Sequence, residues 1–279
     1  MMQAMIFAAG KGTRLKPLTD TMPKALIEVG GQPLLQRVVL KLKEAGFEHL
    51  VVNVHHFANQ IVDFLQAHDN FGLDIKISDE TSGLLETGGG IRKACPMFLP
   101  DAPILIHNVD ILSNVDLQKF YTLDPLITSL GGGIPDRRVG ATLLVSWRET
   151  QRYLIFDKDM LLVGWLHLGT GEVKSPFDWV KVARMPRTVE ECRLMNKQAT
   201  DVVSEQPLLR FYAFSGIHCF SPQLFPLMGG YPEKFSIMDF YLQNCHVQPM
   251  RGYLQEDMRL MDVGKLDTLK EAEHFLTTL

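Results

Sequence analysis

The stretch Gln3-Ala4-Met5-Ile6-Phe7-Ala8-Ala9-Gly10-Lys11-Gly12-Thr13-Arg14-Leu15-Lys16-Pro17-Leu18-Thr19-Asp20-Thr21-Met22-Pro23-Lys24 governs how the rest of the chain is read. Residues 3–8 are an apolar run suited to a buried strand, and small residues follow at once. Gly10 and Gly12 remove side chains where a ligand must approach the backbone, and Ala8 and Ala9 do the same at the strand end. Successive N–H groups in such a loop form a concavity that accepts anions. Lys11, Arg14 and Lys24 add positive charge, and a guanidinium can hold two phosphate oxygens at once. A Walker A loop is excluded, because G-x-x-x-x-G-K-[ST] has no match. The dinucleotide pattern G-x-G-x-x-G also fails, because Leu15 stands where the third glycine belongs.

Working outward, Pro33 opens a helix whose apolar face is Leu34, Leu35, Val38, Val39 and Leu42, and Gly46 supplies a left-handed residue at its end. A strand at 49–54 follows. Phe57, Ile61, Phe64 and Leu65 recur at helical spacing, 73–77 alternates as a strand, 88–94 forms a short helix and 103–107 a buried strand. This alternation predicts right-handed crossovers and an α/β fold: a Rossmann-like, mainly parallel sheet with flanking helices, binding ligands at the carboxyl ends of its strands. Region 131–215 reads as a smaller mixed β subregion, with strands at 141–147 and 161–168 and a polar, irregular segment at 184–210. A strand at 212–220 and helices at 237–244 and 265–276 complete the chain.

Of the 279 residues, 46% are apolar and 22% charged, an ordinary globular balance. Apolar runs fall short of the roughly 18 residues of a membrane helix, so a membrane partner is not expected. With net charge −4 and no dense basic patch, neither is a nucleic-acid partner. Met1–Met5 lacks the basic region of a secretory signal, which points to the cytoplasm. Cys95, Cys192, Cys219 and Cys245 form no C-x-x-C pair and read as reduced thiols rather than zinc ligands. His55 and His56 are adjacent, so on a strand they would face opposite ways, and with His107 they make a poor metal cluster.

Residues 10–24 match G-x-G-T-R-[LM]-x-P-L-T-x-x-x-P-K in full, and this resembles the signature of the sugar-1-phosphate nucleotidyltransferases. Leu85-Glu86-Thr87-Gly88-Gly89-Gly90-Ile91 resembles that family's nucleobase segment. His107-Asn108-Val109-Asp110 resembles its N-x-D metal motif, Phe214-Ser215-Gly216-Ile217 its sugar-side strand, and Met261-Asp262-Val263-Gly264 its late D-V-G motif. Within the family the likeness runs first to N-acetylmuramate 1-phosphate uridylyltransferases of cell-wall biosynthesis, then to mannose 1-phosphate guanylyltransferases.

The resemblance implies a Mg²⁺-dependent transfer of a nucleotidyl group from a nucleoside triphosphate, UTP before GTP, to a sugar 1-phosphate, releasing pyrophosphate. It implies one domain, 1–279, with a nucleotide-binding lobe at 1–130 and a sugar-side lobe with the C-terminal helices at 131–279. Lys24 would bind the α-phosphate and Arg14 the β- and γ-phosphates, with Lys11 assisting. Gly10, Gly12 and Thr13 would present backbone groups beside the small Ala8 and Ala9. Glu86, Thr87, Gly88 and Gly89 would surround base and ribose, Gly88 leaving its backbone readable by a base edge. Asn53 is a further base or ribose candidate, Asn108 a ribose or sugar candidate, and Gly216 would let a sugar ring lie against the strand. Asp110 and Asp262 would meet at one Mg²⁺, an ion for which one or two carboxylates suffice.

Three positions depart from the family pattern. Val109 stands where glycine is common, and Leu260 where tryptophan is common. Phe235-Ser236 replaces a Phe-Lys pair, with Lys234 just before it as a possible substitute. Two other readings compete. One is a phosphocholine acceptor, which would want an aromatic cage drawn from Trp147, Trp165, Trp179, Tyr153 and Tyr212. The other is a non-catalytic regulatory module, which would tend to lose Asp110, Asp262, Arg14 or Lys24.

Overall fold

The computed structural model describes residues 1–123, 126–127, 137–198 and 207–279. The chain divides into two compact units, one comprising Met1–Leu123, Gly216–Ile237 and Asp257–Leu279, the other Asp124–Ser215 and Met238–Glu256. The lobe boundary expected at 130/131 lies outside the described residues. The chain therefore returns twice to the first unit after leaving it.

The first unit is built on a sheet whose centre is the strand Met2–Phe7. It pairs in parallel with Phe47–Val54 on one side and with Ile104–Asn108 on the other. Asp74–Asp79 lies outside Phe47–Val54, again parallel, and residues 217–220 add an antiparallel strand beyond Ile104–Asn108. Ala4, Met5, Ile6, Leu50, Val51, Val52, Leu105 and Ile106 are all fully buried, the continuous apolar pattern of strands covered on both faces. The helix Leu34–Glu44 buries the five residues its spacing predicted, and Gly46 has φ 87°. From Met2–Phe7 the chain steps outward to one side twice, then returns to the other side of its first strand. The order of connection therefore reverses between Met2–Phe7 and Ile104–Asn108, and such a reversal opens a crevice at the strands' carboxyl ends. A short ladder, Ile111–Ser113 against Leu260–Asp262, stands near this crevice; both strands are too short for periodicity to announce them.

In the second unit Arg152–Phe156, Leu162–His167 and Glu172–Lys174 pair antiparallel in sequence. Arg152–Phe156 also pairs with residues 210–212, and Ala141–Ser146 runs parallel to Met250–Leu254. Tyr153, Ile155, Leu166, Val180, Cys192 and Phe211 form its core. The mixed β subregion is thus present, with a strand at Arg152–Phe156 that the sequence reading passed over. The segment 184–210 corrects that reading: it contains a helix, Val189–Asn196. Only Cys192 of that helix is buried, so its apolar period is weak. Its ends are satisfied from elsewhere. The Thr188 hydroxyl accepts from the Glu191 N–H at 3.1 Å, and Arg210 donates to the carbonyls of Met195, Asn196 and Gln198 at 2.8, 3.1 and 2.7 Å. Residues 199–206 lie outside the described residues. Among the described residues no helix is long and apolar enough to cross a membrane.

Two fully buried strand histidines set an acid limit on the first unit. Burial holds His107 down to about 4 and His218 to about 3, against an ordinary value of 6.5. Both folded values lie below the unfolded one, so the unfolded chain binds more protons between them. Stability is then full above pH 6.5 and falls as pH drops toward 4, by about 3 kcal/mol for His107 alone. Urea midpoints taken from pH 7 to pH 4 should fall, and His218→Gln should flatten the slope by up to about one proton.

Candidate active site

The crevice at the reversal is a cleft of about 240 Å³. It is lined by Phe7, Ala8, Ala9 and Gly10, by Lys24, Asn53, Glu80 and Leu84, by Glu86 and Thr87, and by Asn108, Val109 and Asp110. Nine of the expected site residues are thereby brought to one cleft. Four linings were not anticipated: Phe7, Glu80, Leu84 and Val109. Glu80 is fully buried in a polar-looking stretch, and only its burial reveals a task.

The loop is shaped by contacts that the glycines permit. Gly12 has φ +60°, and a Cβ there would lie 2.8 Å from Thr19 Cγ2 and 3.0 Å from Lys24 Cβ. The Gly12 carbonyl accepts from the Leu15 N–H at 2.8 Å and from the Thr19 hydroxyl at 2.9 Å. The chain is thus folded back so that Lys24, distant in sequence, reaches the cleft. Gly10 has open space where a Cβ would go, on the cleft side. Lys11, Thr13 and Arg14 are exposed.

Charge of both signs meets at the floor. The Lys24 ammonium, on a nearly buried side chain, is ion-paired with Asp110 Oδ2. Asp110 follows the strand Ile104–Asn108, and its carbonyl accepts from the Val263 N–H at 2.9 Å, next to Asp262. Asp262 stands opposite Ile111 in the short ladder. The two carboxylate residues, about half the chain apart in sequence, are therefore neighbours through backbone pairing. Gly264 keeps the next space open: a Cβ there would lie 2.6 Å from Asp262 Oδ1 and 2.7 Å from Arg14 Nη2. Arg14 thus reaches the same corner as Asp262. Lys41, half-buried on the helix Leu34–Glu44, donates to the carbonyl and hydroxyl of Ser113 and tethers this ladder; desolvation lowers its ammonium to about 8. Among the described residues no three of His, Cys, Asp and Glu converge as metal ligands. His107 instead turns Nδ1 to the Asn108 carbonyl at 2.7 Å; since a carbonyl only accepts, that nitrogen carries the proton.

The segment expected around base and ribose is tied into the protein through its glycines. It forms the helix Glu86–Ala94, but the N–H groups of Gly88 and Gly89 both donate to the Phe235 carbonyl, at 2.9 and 3.3 Å. A Cβ on Gly88 would lie 2.3 Å from the Phe235 ring, and one on Gly89 2.3 Å from the Glu233 carbonyl. These glycines seat the segment 228–237 against the helix, so their backbone is committed to the protein. Arg92 holds the same segment, donating to the carbonyls of Met228, Tyr231 and Pro232 with its guanidinium 5.1 Å from the Phe235 ring centre. The Ile237 N–H donates to the Thr87 hydroxyl at 2.9 Å. Lys234, carried on this strap, lies 3.5 Å from Glu86 Oε1. Glu86 itself has φ 61°, an uncommon conformation for a residue with a side chain and one concentrated at functional sites.

Two other expectations also acquire structural reasons. Asn53 is buried at the cleft, where its amide accepts from the N–H groups of Ala8 and Ala9 and donates to Glu80. Gly216, with φ +76°, gives room to Asn108, whose Nδ2 would lie 2.9 Å from a Cβ there. Of the aromatics considered for a choline cage, Tyr153 is fully buried and stacks on Trp147 at 6.0 Å, Tyr212 neighbours Phe156, Trp179 neighbours Phe177, and Lys174 Nζ sits 5.2 Å from the Trp165 ring centre.

Comparison with known proteins agrees with this geometry. Residues 3–123 match the family described as nucleotidyl transferase. The chain is 45% identical over 120 residues to N-acetylmuramate α-1-phosphate uridylyltransferase of Neisseria meningitidis, a match covering 43% of this chain and 52% of that one. It is 46% identical over 109 residues to the protein of the same name from Caulobacter vibrioides, covering 38% and 45%. These matches span about half the length of those relatives. In fold, HddC from Yersinia pseudotuberculosis, solved with GMP-PN, superposes with a TM-score of 0.66 at 18% identity, covering 99% of this chain and 100% of that one. The fold and cleft define an α/β protein with a glycine-rich loop and a Lys–Asp ion pair at the carboxyl ends of its central strands. More particularly, residues 3–123 are similar in sequence to nucleotidyl transferases, the uridylyltransferases of Neisseria and Caulobacter among them.

The glycines separate into two kinds that experiment can distinguish. Gly88→Ala should lower stability by about 1–3 kcal/mol, read as a falling urea midpoint, because the Phe235 ring must move. Gly10→Ala should leave the midpoint within about 0.5 kcal/mol of the parent while weakening triphosphate binding measured by calorimetry.

Proposed function

We propose that this protein transfers a nucleotidyl group from UTP to a sugar 1-phosphate, yielding a nucleotide sugar and pyrophosphate, with N-acetylmuramate 1-phosphate the leading acceptor and GTP the next donor. The observation that carries the reading is the placing of Lys24 and Asp110 face to face beneath the glycine-rich loop. In the reaction an oxygen of the sugar 1-phosphate attacks the α-phosphorus, and the bond from that phosphorus to the bridging oxygen breaks. Both reactants are anions, so the protein's main work is to offset repulsion and stabilise charge growing on the leaving oxygen. Lys24 is pre-positioned for the α-phosphate, and Arg14, at the mouth of the loop, for the leaving pyrophosphate. No side-chain nucleophile is needed. The uridylyl preference rests on the similarity to the two uridylyltransferases.

A divalent ion fits the residues present. Asp110 and Asp262 are neighbours across a backbone ladder and offer hard oxygen donors, and Mg²⁺ takes one or two carboxylates while keeping several waters. Bound there, Mg²⁺ would neutralise phosphate charge. The ladder, tethered by Lys41, holds the two carboxylates in place for it.

Pyrophosphate release, measured with Mg²⁺ over UTP, GTP, CTP, dTTP and ATP against several sugar 1-phosphates and phosphocholine, should give its strongest signal with UTP and N-acetylmuramate 1-phosphate. A strong signal only with phosphocholine, or none in a folded protein that binds triphosphate, would overturn the proposal. Asp110→Asn and Asp262→Asn should each abolish turnover with the urea midpoint retained; near-parent rates in both would remove the metal assignment. Arg14→Ala should lower turnover by roughly a hundredfold or more, the scale of losing a pre-positioned charge.

A further inference from the structure

The first strand ends with two N–H groups that the sheet does not satisfy. Both are taken by one side chain: Asn53 Oδ1 accepts from the Ala8 N–H at 2.7 Å and from the Ala9 N–H at 3.2 Å. The same amide donates through Nδ2 to Glu80 Oε1 at 2.8 Å. Glu80 Oε2 accepts in turn from the Leu85 N–H at 3.1 Å, immediately before the helix that opens with Glu86. Asn53 is 2% exposed and Glu80 0%, so no water competes for these bonds. The space is fitted to them: a Cβ on Gly90 would lie 2.8 Å from Glu80 Oε1. A chain of hydrogen bonds therefore runs from the entry of the glycine-rich loop, through the ends of two neighbouring strands, to the segment carrying Glu86 and Thr87.

We infer that Asn53 and Glu80 are positioning residues that set the separation between the phosphate loop and the base-side segment, and so hold the cleft at the span of one nucleoside triphosphate. The inference rests on the proposal that this cleft takes the triphosphate. Neither side chain reacts. Each acts through backbone groups whose places it fixes, as outer-sphere partners do at other polar sites. The alternation of roles is strict along the relay: Asn53 must accept on one side and donate on the other, and Glu80 must accept on both.

That strictness supplies the test. Asn53→Asp sets two acceptors against each other at the Asn53–Glu80 contact. Glu80→Gln leaves one donor facing another, either at Asn53 or at Leu85. The double variant restores every bond and reverses only the one between positions 53 and 80: the Glu80→Gln amide donates to the Asn53→Asp carboxylate and still accepts from the Leu85 N–H, with total charge unchanged. Binding of UTP with Mg²⁺ is measured by calorimetry, alongside steady-state constants and urea midpoints. Each single variant should weaken UTP binding roughly ten- to a hundredfold and raise the KM for UTP while leaving that for the sugar 1-phosphate nearly unchanged. The double variant should return UTP affinity to within about threefold of the parent, a coupling that independent sites do not show. Should Asn53→Asp not fold, Glu80→Gln against the double variant carries the same comparison. A double variant no better than the weaker single, or singles that lose stability with UTP affinity intact, overturns the relay. A parent protein that binds no UTP instead overturns the reading of the cleft on which it rests.

Discussion

Where a parallel strand leaves its sheet, its next N–H groups lose their partners, and a buried donor without an acceptor costs about 1–3 kcal/mol. At the end of Met2–Phe7 this problem falls where a ligand-binding loop must begin. Asn53 Oδ1 resolves it by accepting from Ala8 and Ala9 together. The consequence spreads outward. With those two residues held down, the free backbone of the loop starts at Gly10, facing open space. The fold-back at Gly12 then returns Lys24 to the floor, against Asp110. The site depends on a side chain from the second strand and a carboxylate from the end of the third.

The electrostatics are local rather than global. The chain carries net charge −4, yet its cleft presents Lys24 inside and Arg14 at the loop's edge. Each cation stands beside a carboxylate, Lys24 with Asp110 and Arg14 near Asp262 across the space that Gly264 keeps open. Opposed charges fixed on backbone scaffolds need little reorganisation when a polyanion arrives, which is how a pre-organised site gains over water. The scaffold is the short ladder joining Ile111–Ser113 to Leu260–Asp262, tethered by Lys41.

Glycines show how far the motif could be read and where reading stopped. The spacing of Gly10 and Gly12 predicted a phosphate loop, and both lie in the turn that follows the first strand. The run Gly88-Gly89-Gly90 was just as visible, but its reason was not. Gly88 and Gly89 make room for the Phe235 ring and the Glu233 carbonyl, and Gly90 for Glu80. Those partners come from a segment some 140 residues away or from a buried turn. Absence of a Cβ leaves a trace in sequence; the atom that fills the space leaves none.

By itself the sequence determined the period of the longer strands and helices in the first unit, the glycine-rich loop after the first strand, and which residue types it offers for the proposed phosphate and metal chemistry. These follow from local chemistry: strand and helix periods, glycine conformation, and charge at fixed spacing. Only the tertiary structure decided which of these residues meet. The second unit was legible in outline alone, because Val189–Asn196 buries little of its own and is held by Thr188 and by Arg210 from a later strand. The pairing of Asp110 with Asp262 and the relay through Glu80 depend on strand order and register. Both are set by burial across the whole sheet, and no window of sequence contains them.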